Sequence, residues 1–140
     1  MTQKIKILLV EDCPYTSLLV QKVLAAQGHE VLVMENATDV IKNAGDYNPD
    51  ILVTDNDLGF HKDAGLLLTE HFTRCRPEMP IIFMSGRMDL DLAREAGKAG
   101  ADVSLPKPFT PDELIASLTR AMLRIVPKEP KQPASESKVA

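Results

Sequence analysis

The chain has no tryptophan, and aromatics make up only 4% of its 140 residues, so whatever core it builds is aliphatic. It has no surplus of positive charge either. Sixteen Lys and Arg against 20 Asp and Glu leave a formal net charge of -4, and no basic stripe is visible, which argues against nucleic acid or an anionic membrane as a partner. Long apolar runs are missing, so nothing reads as a membrane span or as the core of a secretory signal. Cysteine is scarce. Cys13 and Cys75 stand apart without Cys-x-x-Cys spacing, which gives no support for a disulfide framework or a zinc site, suits a reducing compartment, and implies a cytoplasmic protein. Both thiols are expected to be small, buried and apolar in role. What is present is ordinary for a soluble globular chain, with 44% hydrophobic and 26% charged residues and a length suited to one domain.

Short aliphatic runs alternate with amphipathic segments. Lys4 to Val10, Glu30 to Met34, Asp50 to Thr54, Pro80 to Met84 and Ala101 to Leu105 have strand length and content. Tyr15, Leu18, Leu19, Val23 and Leu24 recur at helical spacing and stop at Gly28, while Asn36 reads as the cap of a helix over Ala37 to Ala44. Leu66 to Arg74, Met88 to Ala99 and Pro111 to Val126 supply three more helices, the last introduced by a capping box in Thr110, Pro111, Asp112 and Glu113. Single helices between strands mean parallel pairing through right-handed crossovers, hence a doubly wound α/β fold with helices on both faces. Residues 1–126 form that domain. Beyond them, PKEPKQPASESKVA holds three prolines and five charges and is expected to be a disordered C-terminal tail over 127–140.

Ligands of open α/β sheets bind outside the carboxyl ends of the strands. There the first strand meets Glu11 and Asp12, the third Asp55 and Asp57, the fourth Ser85, and the fifth Lys107. A polar residue after one strand is usually solvated loop, but here acids, a hydroxyl and an amine gather on one edge. On these residues the chain resembles the receiver domain of bacterial two-component response regulators, of the chemotaxis-regulator kind. The resemblance is carried by the acidic pair in LLVEDCP, the Asp closing PDILVTD, the hydroxyl in IIFMSG, and GADVSLPKPF with its Lys, Pro and Phe.

The resemblance implies a five-stranded parallel sheet in the flavodoxin-like order 2-1-3-4-5 and a single-domain regulator. That regulator is not an enzyme in the ordinary sense, but takes a phosphoryl group from a phosphohistidine of a sensor histidine kinase or phosphotransfer protein onto Asp55. An anion must then attack an anionic phosphate beside other anions, which calls for a cation. Glu11, Asp12, one oxygen of Asp55 and the backbone carbonyl of Asp57 are the implied Mg2+ ligands. Lys107 is the implied point charge, Ser85 the hydroxyl that engages once phosphate is present, and Lys107-Pro108 a cis bond. A downstream protein is implied at the face made by the fourth helix, fifth strand and fifth helix. The side chain of Asp57 is expected to face solvent near Arg87, and Asp63 to lack a fixed partner.

The chain also departs from that family. Gly59 stands where Pro is common, and the loop reaches Asp63 and Gly65 later than usual. Pro106 replaces a small hydroxyl residue, and Ser104 stands where most members carry the Tyr or Phe whose inward rotation reports phosphorylation. Two other readings stay open: a receiver-like adaptor that is never phosphorylated, and an aspartyl-phosphate phosphatase of the haloacid dehalogenase type, whose Asp-x-Asp motif DNDLG partly matches. His29, His61 and His71 share no ligand spacing and read as solvated or packing residues.

Overall fold

The computed structural model describes residues 4–59 and 61–125. The aliphatic runs form β1 (Lys6–Val10), β2 (Glu30–Met34), β3 (Ile51–Asp55), β4 (Ile81–Ser85) and β5 (Val103–Pro106). Between and after them lie α1 (Pro14–Ala26), α2 (Ala37–Tyr47), α3 (Ala64–Cys75), α4 (Leu90–Ala99) and α5 (Pro111–Met122). All strand pairs are parallel and the order is β2-β1-β3-β4-β5, the doubly wound arrangement expected.

Alternation along the strands divides the core between two layers. Ile7, Leu9, Val53, Ile82, Met84 and Leu105 meet Val20 and Leu24 of α1 and Leu114 and Leu118 of α5. Leu8, Val10, Leu52 and Ile81 point the other way, toward Val40 of α2 and Leu68 and Phe72 of α3, while Phe83 packs on Leu92 and Ala96 of α4. β3 and β4 are buried along their whole length because helices cover both of their faces. Each such aliphatic side chain contributes about 1.5 to 3 kcal/mol relative to exposure, so the middle of the sheet is the rigid support from which the carboxyl-edge side chains project.

Local signals set the helix ends. Asn36 accepts from the Asp39 N–H at 2.8 Å, and the Thr110 and Glu113 capping box forms at both of its bonds. Gly28, with φ 91°, ends the α1 turn. The structure moves some boundaries. α3 starts two residues before Leu66, at Ala64, because the Gly65 N–H finds the Asn56 carbonyl at 2.8 Å. β5 begins at Val103 and not at Ala101, whose N–H is still bonded to Ala96 O in the turn at Gly100. α5 ends at Met122; Val126 and the segment 127–140 lie outside the described residues. The expectation of buried thiols is also corrected: Cys13 and Cys75 are both exposed, one preceding α1 and the other the last residue of α3. His29 is a packing residue, buried, with Nδ1 accepting from the Ile5 N–H at 3.2 Å. The Lys107-Pro108 peptide is cis. Among the described residues no helix is long and apolar enough to cross a membrane.

Candidate functional site

Because the strands all run the same way, their carboxyl ends share one edge. β1 runs out into Glu11 and Asp12, β3 ends on Asp55, β4 ends on Ser85, and β5 gives way to Lys107. Glu11, Asp12 and Asp55 each bring one carboxylate oxygen to within 4.8 Å of the other two. Two of the three are buried, with Glu11 1% and Asp55 7% exposed, and Asp12 is half-buried. Lys107 Nζ lies 3.1 Å from Glu11 Oε1 and 3.4 Å from Asp55 Oδ2.

One ammonium therefore touches two of three neighbouring carboxylates. Burial raises the pKa of Asp55 to about 6, with repulsion from Glu11 adding to the rise and Lys107 and the Asn56 N–H opposing it. Burial alone would lower Lys107, but Asp55 and Glu11 outweigh it and hold the amine above the ordinary lysine value. A set of hard oxygen donors short of positive charge fits Mg2+, which prefers carboxylates and water over nitrogen or sulfur.

A second group of side chains forms the rim. Arg87 Nε donates to Asp57 Oδ2 at 2.8 Å and its Nη2 to Asp57 Oδ1 at 3.2 Å, a two-pronged pair that holds the Asp57 carboxyl below its usual range. The Asp57 side chain is thus beside Arg87, as expected. Asp63 departs from expectation, because it has fixed partners. Its Oδ1 accepts from Asn56 Nδ2 at 2.8 Å and from Arg87 Nη2 at 3.3 Å, and its N–H donates to Asp57 Oδ1 at 3.1 Å. Ser85 Oγ accepts from the Arg87 N–H at 2.9 Å, so the hydroxyl is engaged with its own loop.

Asn56 is the residue that sequence reasoning passed over. Fully buried, it uses its side chain to hold Asp63 and to accept from the Leu66 N–H at 3.1 Å, and its N–H donates to Asp55 Oδ1 at 3.0 Å. Its one signal was its place between two acids, where a neutral amide can both donate and accept. The long loop is shaped by mutual bonds between the backbones of Leu58 and His61. At its turn Gly59 has φ 62°, and a Cβ there would sit 3.6 Å from Asp12 Oδ2, so this turn borders the acid cluster.

Residues 7–119 match the family described as the response regulator receiver domain. The chain belongs to that family. This receiver is 32% identical over 131 residues to the DNA-binding transcriptional regulator NtrC of Proteus hauseri, covering 94% of this chain and 27% of that protein. It is 31% identical over 116 residues to the nitrogen assimilation regulatory protein NtrX of Azorhizobium caulinodans, covering 83% of this chain and 26% of that one. Among solved structures, NtrX from Brucella abortus superposes on 86% of the receiver and 27% of its own chain, with a TM-score of 0.80 at 29% identity. A putative response regulator from Chloroflexus aurantiacus gives 0.79 at 24% identity, over 86% of this chain and 99% of that one, a likeness of fold alone. The receiver spans about a quarter of the length of the curated relatives it matches. Receivers are phosphoacceptor signalling domains of two-component systems and not classical enzymes, and they interact with sensor histidine kinases or phosphotransfer proteins.

Proposed function

We propose that this receiver accepts a phosphoryl group on Asp55 from a phosphohistidine of a partner protein, in a Mg2+-dependent step. The observation that carries the reading is a carboxylate buried at the end of the central strand β3, with Lys107 Nζ at 3.4 Å and the carboxylates of Glu11 and Asp12 beside it. An oxygen of Asp55 forms a bond to phosphorus as the bond from phosphorus to the imidazole nitrogen breaks, and the histidine leaves neutral, its ring keeping the one remaining proton. Glu11, Asp12, Asp55 and the Asp57 carbonyl are the residues that would hold Mg2+. When bound, that ion supplies the charge that lets phosphate oxygens approach a group of carboxylates. β3 fixes the direction of the Asp55 carboxylate, and the Asn56 N–H on Oδ1 leaves Oδ2, the oxygen facing Lys107, for attack. Lys107 exchanges its contact with Glu11 for a phosphoryl oxygen, and Ser85 donates to another.

The kinase, the downstream protein at the face of α4, β5 and α5, and a cytoplasmic location belong to the same proposal. The free, exposed thiols of Cys13 and Cys75 support a reducing compartment. The test is phosphorylation by acetyl phosphate with Mg2+ and with excess chelator, followed by mass mapping of the acyl phosphate. Label confined to Asp55, lost in Asp55→Asn and in chelator, is expected. Label on Asp57 or Asp63 with Asp55 free, or normal labelling in chelator, would overturn the assignment.

A further inference from the structure

Ser104 leaves this receiver without a ring to rotate on β5, so a change at Asp55 needs another route to the surface. We infer that Arg87 is a latch that couples occupancy of Asp55 to the first turn of α3, through a relay from Ser85 to Arg87, Asp57, Asp63 and Asn56. The inference rests on the phosphoacceptor reading of Asp55.

Every joint of the relay is a short polar contact. At one end Ser85 Oγ holds the Arg87 N–H at 2.9 Å. In the middle the Arg87 guanidinium spans two carboxylates, Asp57 at 2.8 Å and Asp63 at 3.3 Å. At the other end Asn56 ties Asp63 to α3, with its side-chain oxygen on the Leu66 N–H at 3.1 Å and its carbonyl on the Gly65 N–H at 2.8 Å. The loop after β3 and the loop after β4 are thus joined through a guanidinium at the surface, while the amide that anchors α3 is fully buried. Asp63 has φ 63°, a left-handed conformation that an L side chain keeps only when its surroundings hold it.

A phosphoryl group on Asp55 acts on both attachments of Arg87. It replaces the single charge of the Asp55 carboxylate with a phosphoryl group of about -2 charge, and a guanidinium fork matches phosphate oxygens at least as well as carboxylate. The same oxygens attract the Ser85 hydroxyl, and turning Ser85 about its first side-chain torsion withdraws Oγ from the Arg87 N–H. Arg87 leaves Asp63, whose carboxylate then faces that of Asp57 without a cation between them. The strained Asp63 backbone relaxes and the first turn of α3 shifts, carrying Leu67, which is 65% exposed and so able to present the change to a partner.

Amide hydrogen exchange at Gly65 and Leu66, read by NMR on the full chain, tests the latch in two arms. In the unphosphorylated protein Arg87→Ala is expected to speed exchange at both amides by about tenfold. Arg87→Lys, which keeps charge without the fork, is expected to have a smaller effect, and Leu118 of α5 to stay unchanged as the reference. Arg87 is exposed, so its variants are expected to fold, and unchanged exchange at Gly65 and Leu66 overturns the latch. In the second arm the protein is labelled with acetyl phosphate and Mg2+ while mass mapping follows Asp55. The same two amides are expected to speed up, and by less in Arg87→Ala, where the latch is already open. Label on Asp55 with both amides unmoved rejects the coupling and leaves the phosphoacceptor reading standing. Absence of label on Asp55 rejects that reading, and the coupling to occupancy with it, whatever the first arm gives.

Discussion

The two ends of the sheet treat their acids in opposite ways. At the amino edge two acids at the feet of strands, Asp50 before β3 and Asp102 before β5, are satisfied. Asp50 accepts from the Lys6 N–H at 2.8 Å, and Asp102 accepts from the Ile81 N–H at 2.8 Å while Arg124 Nε reaches it at 2.8 Å. At the carboxyl edge Glu11 and Asp55 share Lys107 with Asp12 beside them, and burial drives Asp55 up to about 6. The amino edge closes its charges to hold the strands together. The carboxyl edge leaves a negative surplus in place, which costs stability and marks where a cation and an anionic substrate would enter.

The strongest way to break this contrast is at Gly65. A Cβ there would lie 2.4 Å from the Asp55 carbonyl oxygen and 2.6 Å from Asn56 Cα, both backbone atoms. Gly65→Ala should destabilise the fold by about 3 kcal/mol and displace Asp55, as urea denaturation and labelling with acetyl phosphate would register. Next come two substitutions of opposite sign. Asp102→Ala, which leaves the buried Ile81 N–H without its acceptor, should cost about 2 kcal/mol. Asp55→Asn, which removes a buried charge repelled by Glu11, should stabilise the metal-free protein by on the order of 1 kcal/mol. Equal signs in thermal melts would erase the distinction between the edges.

Acid titration sharpens it further. Asp55 binds its proton more tightly folded than unfolded, so its cost to stability is full above a pH of about 6 and disappears as pH falls through the ordinary carboxylate range. The stability gap between Asp55→Asn and the unmodified chain, measured in chelator, should therefore shrink from neutral pH to a pH of about 4. The smallest effect is expected at His29, whose pKa burial lowers and whose Nδ1 must stay unprotonated to accept from Ile5. Its contribution is present above the ordinary histidine range and is lost as pH falls through it. His29→Asn, which keeps an acceptor, should flatten that part of the profile, and an unchanged slope would assign it to another group.

How much was legible depended on the range of each interaction. The strands, the Asn36 cap and the Thr110 capping box follow from neighbours a few residues apart, and the acid cluster followed once the strands were taken as parallel. Asp63 was misjudged because its partners, Asn56 and Arg87, are 7 and 24 residues away and meet it only across two loops. Asn56 was overlooked because an amide between two acids looks like loop until its burial is known. The thiols were misjudged from a general tendency of cysteine, whereas Cys13 stands in a loop and Cys75 on the open side of α3.

Pro106 ends β5 at an outer border of the sheet, paired inward with Ser85. It has no N–H to offer outward, and the strand before it is only four residues long. A foreign strand seeking to extend the sheet at that border would meet a short template with a donor missing. The proline that stiffens the approach to Lys107 thereby also guards an exposed edge against aggregation, a property concerned with crowding and not with signalling.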